Sequence, residues 1–145
     1  MADQHEFQHY RPGISAVGQY QMSGIPFVSA SMPVPAIYDE APLEVGFPYV
    51  TKFVTIINTN TGPAAPLRVG FSQLGVTGSG GHAGSNNNYF ILNNGESYTG
   101  EWRVGAVYLV GDDNATSASI IAGQTGIPTS SVAGWTNWSG SRGVG

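Results

Sequence analysis

Residues able to do chemistry are few in this chain and widely separated. The three histidines are His5, His9 and His82. His5 and His9 have the i, i+4 spacing that sets two imidazoles on one helical face for a metal. Their segment, however, has no helical pattern, and only Glu6 stands close by as a third ligand. His82 lies in a glycine-rich stretch with no carboxylate in reach to make it a general base. Asp112-Asp113-Asn114 offers oxygen atoms to a calcium ion, which wants six or more. The supply nearby is Thr116, Ser117 and carbonyls, so the plainer reading is an Asx-rich turn. Asp39, Glu40 and Glu44, flanked by Pro35 and Pro42, form the other acidic group, and spacing assigns no acid–base pair within it.

Two segments imitate catalytic or cofactor motifs. Gly78-Ser79-Gly80-Gly81-His82-Ala83 matches a dinucleotide fingerprint in form, but Gly84-Ser85-Asn86-Asn87-Asn88 follows where a helix N-terminus must meet the pyrophosphate. It reads as a surface loop. Gly70-Phe71-Ser72-Gln73-Leu74-Gly75 misses the nucleophile elbow by one residue, because Leu74 stands where the tight turn needs glycine. It reads as a strand that ends in a turn at Gly75, with no helix after it. Asn114-Ala115-Thr116 and Asn137-Trp138-Ser139 are sequons of the kind that arise by chance. Trp102, Trp135, Trp138 and seven tyrosines suit either a core and subunit interfaces or a sugar-stacking platform. No catalytic, cofactor-binding or metal-binding residue is assigned, no cofactor is expected, and the chain is not read as an enzyme.

Composition closes off other classes. Five basic residues (Arg11, Lys52, Arg68, Arg103, Arg142) stand against nine acidic ones, a formal charge of −4. Too few cations exist to displace the counterions of a nucleic acid or to hold an anionic membrane surface. There is no cysteine, which removes disulfides, thiolate metal sites and cysteine nucleophiles, and points to assembly in a reducing compartment. The start Met1-Ala2-Asp3-Gln4-His5-Glu6 is unlike a signal peptide, and no apolar run approaches the ~20 residues of a membrane-spanning helix.

The elements that must carry these residues are short strands. Twenty-one glycines and nine prolines divide the 145 residues, and no window keeps a 3.6-residue apolar period long enough for a helix. Runs of β-branched and aromatic residues bounded by turn formers predict strands at Ser15–Met22, Val28–Met32, Pro48–Asn58, Leu67–Leu74, Tyr89–Leu92, Tyr98–Val110, Ser117–Ile121 and Val132–Trp138. Both faces of Tyr49–Ile57 are largely apolar, as in a central strand packed on a second layer. Asn93-Asn94-Gly95-Glu96 between two such runs predicts a hairpin. The expected fold is all-β, a single jelly-roll β-sandwich of about eight antiparallel strands over residues 14–145, preceded by an extended arm over residues 1–13.

Within this frame, Phe47-Pro48-Tyr49-Val50-Thr51-Lys52-Phe53-Val54-Thr55-Ile56-Ile57-Asn58-Thr59, Leu67-Arg68-Val69-Gly70-Phe71-Ser72, Tyr89-Phe90-Ile91-Leu92 and Glu96-Ser97 form a pattern. It resembles the penton proteins of nucleocytoplasmic large DNA viruses, the algal-virus members in particular, over about residues 45–110. The resemblance implies a structural capsid protein. Five copies would close a homopentameric ring at the fivefold vertex of an icosahedral virion, assembled in the host cytoplasm beside major or minor capsid proteins. It brings no enzymatic residues. Some members carry an inserted outer domain, for which 145 residues leave no room. The alternatives are a small carbohydrate- or receptor-binding β-sandwich and a capsid decoration protein.

Overall fold

The computed structural model describes residues 24–77 and 87–131. These form eight strands: β1 (Ile25–Val34), β2 (Leu43–Gly46), β3 (Tyr49–Asn58), β4 (Leu67–Gly70), β5 (Tyr89–Leu92), β6 (Ser97–Gly100), β7 (Ala106–Gly111) and β8 (Thr116–Pro128). One short helix, α1 (Gln73–Thr77), follows β4, and a single 3-10 turn (Thr129–Ser131) follows β8. Two antiparallel sheets of four strands result, sheet A in the order β1-β8-β3-β6 and sheet B in the order β2-β7-β4-β5. The all-β expectation holds.

Pairing follows one rule. β1 pairs with β8, β2 with β7, β3 with β6 and β4 with β5, all antiparallel. The chain is therefore a long ribbon doubled back on itself at β4–β5. Wrapping that ribbon adds two further ladders, β3 with β8 and β4 with β7. Alternation then builds the core between the sheets. Val54, Ile56, Ala118, Ile120 and Ala122 of sheet A meet Val45, Leu67, Val69, Leu92, Val107 and Leu109 of sheet B.

Several expected elements change shape. β3 sits between β8 and β6, as its two apolar faces predict, and β5 has the expected bounds. The expected strand Tyr98–Val110 is two strands. β6 belongs to sheet A and β7 to sheet B, so the chain crosses between layers over residues 101–105. The Asn-Gly signal marks a corner instead of a hairpin, because β5 and β6 also lie in different sheets. The turn closes with the Glu96 N–H donating to the Asn93 carbonyl at 2.9 Å, and Gly95 takes φ 79°. With positive φ at that one position, this is a type II turn, which glycine favours.

The strand expected over Leu67–Leu74 stops at Gly70, and α1 replaces its second half. The Ser72 hydroxyl accepts the Gly75 N–H at 2.9 Å, an N-cap that starts a helical turn. β2 was not expected at all. The strands expected over Ser15–Met22 and Val132–Trp138, and the arm over residues 1–13, lie outside the described residues.

Asn58, fully buried at the end of β3, locks one end of the sandwich. Its amide donates to the Ala65 and Leu92 carbonyls at 2.9 and 3.0 Å, and its oxygen accepts the Thr116 hydroxyl and the Asn60 N–H. Asn58→Ala leaves two carbonyls and a hydroxyl buried without partners and should cost about 3–5 kcal/mol. Denaturant unfolding measures this, with the midpoint falling and the slope unchanged.

Candidate functional site

The structure disperses most of the sequence candidates. The Ser72 hydroxyl serves the backbone of α1, and among the described residues no histidine or carboxylate is hydrogen-bonded to it. Asp112 accepts a hydrogen bond from Arg68 Nε, forming the one salt bridge among the described residues. Arg68 also lies 4.3 Å over the Tyr89 ring and reaches toward the Val76 and Thr77 carbonyls at the end of α1. This cation therefore ties β4, β5, α1 and the β7–β8 turn together, where the carbonyls of a helix C-terminus attract positive charge. Among the described residues, no three His, Asp or Glu side chains gather as a metal site. His5, His9, His82, the Gly78–Ala83 motif apart from its flanks, Trp135, Trp138 and the second sequon lie outside the described residues.

Asp39 and Glu40 are exposed beside an open cleft of about 320 Å³, lined also by Pro33, Val34, Pro35, Ala36 and Ala115. Its floor is aliphatic and proline-rich. Glu44 stands apart from it on β2, exposed. Among the described residues, Asp39 and Glu40 are the only titratable side chains lining the cleft.

The most organised side-chain group is aromatic. Trp102, in the crossing after β6, stacks on Tyr98 at 5.6 Å and 17°, and meets Phe71 edge-on at 4.9 Å. Phe90 completes the cluster, 5.2 Å from Tyr98 and 5.9 Å from Trp102. Tyr98 remains 50% exposed while Phe71, Phe90 and Trp102 are half-buried against the core. The group closes the open side of the sandwich between edge strands β5 and β6 and leaves one tyrosine in solvent. Aromatic counts suggested either core or platform; four rings from four separate segments could not be placed together from spacing.

Trp102 can fold back because Gly100 has no side chain: a Cβ there would fall inside the indole ring. Gly100→Ala should displace Trp102, lose about 1–3 kcal/mol of stability and weaken the near-ultraviolet dichroism of the stacked rings. Tyr98→Ala, at an exposed position, should weaken that signal with a smaller stability loss.

The remaining feature is the contrast between the two outer faces. On sheet B, Ala106, Tyr108 and Val110 form a second small core with Val76 of α1, flanked by Ile37 and Tyr89. β7 is accordingly buried on both sides. Sheet A has no such cover among the described residues. Register places Pro26, Val28, Ile121, Phe53, Thr55 and Thr99 outward, with Val28 67% and Ile121 41% exposed. No helix among the described residues is long and apolar enough to span a membrane. In comparisons with known proteins, the chain matches no family model, no curated protein and no solved structure.

Proposed function

We propose that this chain is a structural capsid protein, a jelly roll whose five copies form the penton at the vertex of an icosahedral large DNA virus. The observation that carries the reading is the nested pairing of β1 with β8, β2 with β7, β3 with β6 and β4 with β5 across two four-stranded sheets. A folded eight-strand ribbon of this kind is what two interlocked Greek keys require. The penton-like pattern at Phe47–Thr59, Leu67–Ser72, Tyr89–Leu92 and Glu96–Ser97 lies on β3, β4, β5 and the start of β6. An assembly subunit works through surfaces, and the exposed apolar face of sheet A supports that kind of role. Partners would be further copies of the chain and the neighbouring capsid proteins.

One observation favours a second reading, a carbohydrate-binding module. Half-exposed Tyr98 backed by Trp102 is the kind of flat ring on which a sugar stacks.

Native mass spectrometry over a range of concentrations separates the two. The penton reading expects a species near five times 15.2 kDa. A trimer, or a monomer persisting at the highest concentrations, overturns it. Glycan binding lost on Tyr98→Ala would establish the module instead.

A further inference from the structure

The two outer sides of the sandwich differ in a way that names the contact between copies, if copies associate as proposed above. The four strands of sheet A contain one charged side chain, Lys52, and the structure gives it no acidic partner among the described residues. Outward from these strands stand Val28, Ile121, Phe53 and Pro26, the hydroxyls of Ser97, Ser117 and Ser119, and the hydrogen-bonded hydroxyls of Thr55 and Thr99, 2.7 Å apart. The roughly 37 residues of these four strands, at ~4.8 Å by ~3.4 Å each, give this face roughly 600 Å², about three-quarters of the ~800 Å² that each partner contributes to a standard interface. A solvent-facing sheet would ordinarily alternate apolar residues with charged or strongly polar ones.

The other side of the sandwich is built differently. α1 covers the outer face of sheet B and presents Leu74, 58% exposed, while Ile91 of β5 is 43% exposed on the same side. Arg68 on this side is already paired with Asp112, which leaves the carboxylate of Glu44 on β2 exposed and outward, opposite Tyr108. Two like copies of sheet A brought face to face would offer Lys52 no carboxylate, since the four strands carry none. Sheet A against sheet B sets a cation toward an anion and one apolar patch toward another. Strand addition at the β1 edge is a poor competitor. Pro26 and Pro33 lack donors there, and a bulge between Ser29 and Met32, with Ser31 at φ 52°, breaks the ladder.

We propose that the outer face of sheet A in one copy seats on the α1-covered side of sheet B in the next. The contact joins two different surfaces, so it is head-to-tail and repeats until the rotation between copies closes a ring.

The chain has no cysteine, so introduced thiols report without background. Val28→Cys and Leu74→Cys proteins are mixed and treated with a short bismaleimide, with Asp113→Cys, exposed in the turn between β7 and β8, as control. The mixed Val28–Leu74 product should dominate over either self-product. In native mass spectra, Val28→Glu should raise the apparent dissociation constant about tenfold or more, since it buries an unpaired carboxylate. Its thermal unfolding should match that of the unaltered protein. A pentamer that survives Val28→Glu, or whose mixed product does not exceed the control, overturns this contact and leaves the penton reading standing. Efficient Val28–Val28 linkage also overturns it, in favour of a twofold contact. A protein that stays monomeric and unlinked overturns both.

Discussion

One buried amide holds the two sheets together at one end of the sandwich. Asn58 closes β3 in sheet A, yet its side chain satisfies carbonyls at Ala65, before β4, and at Leu92, the end of β5 in sheet B. Its oxygen receives the Thr116 hydroxyl from the start of β8. Its backbone N–H and carbonyl in turn meet Glu96 and Gly95 of the turn leading into β6. The side chain and backbone of one residue thus join the end of β3 to the stretch before β4, the turn between β5 and β6, and the start of β8. Inside a protein such a group either has every partner or destabilises strongly. Among the described residues no buried side-chain polar atom lacks a partner, so this end of the fold is specified by polar geometry as well as by apolar packing.

From that anchor the rest of the architecture follows. β8 is thirteen residues long and pairs with both β1 and β3, which makes it the spine of sheet A. Each crossing between sheets interrupts an otherwise continuous strand run, and small residues permit the sharp change of direction. Gly95 supplies the positive φ of one corner, and Gly100 accepts the Trp102 ring at the next. At the opposite end of β3 a second polar lock appears. The Thr51 hydroxyl bonds to the Trp102 and Val104 carbonyls, and the Thr125 hydroxyl to the Val50 carbonyl. Hydroxyls and amides replace the charges that this sequence largely lacks.

What could be read from residues alone divides along the line between local and long-range information. β3 was legible because Tyr49–Ile57 is apolar on both faces, a property of the segment itself. β5 was legible for the same reason. β2 was not: four residues, Leu43-Glu44-Val45-Gly46, carry too short a period, and the exposed Glu44 reads as part of an acidic loop. Asn94-Gly95 announces a tight turn but cannot say whether the strands on either side pair with each other or enter different sheets. That choice is made by β3 and β4, which capture β6 and β5 separately. Ser72 looked like a failed nucleophile because a hydroxyl beside glycines serves equally as a helix cap. Of the candidate site, the scarcity of chemistry was legible and the arrangement was not. Arg68 and Asp112 are 44 positions apart, and the aromatic group draws Phe71, Phe90, Tyr98 and Trp102 from separate elements.

A subunit that functions by association meets a different physical demand from an enzyme. An active site concentrates charge and strain in a small volume, and the fold must stabilise that concentration. An assembling sandwich must instead stay folded while leaving apolar surface uncovered, which invites non-specific aggregation. The arrangement here is compatible with the role proposed for it. The β1 edge next to the outer face of sheet A, which no described residue covers, is blunted by two prolines and a bulge, which disfavours backbone pairing there. Edge strands β2, β5 and β6 have four residues each, too short to offer a long unpaired ladder. In the proposed assembly, specific contact would then rest on face shape and a few side chains. In the proposed closed ring every copy would make two such contacts, so a face of modest area would gain strength from geometry that a single pair of copies does not have.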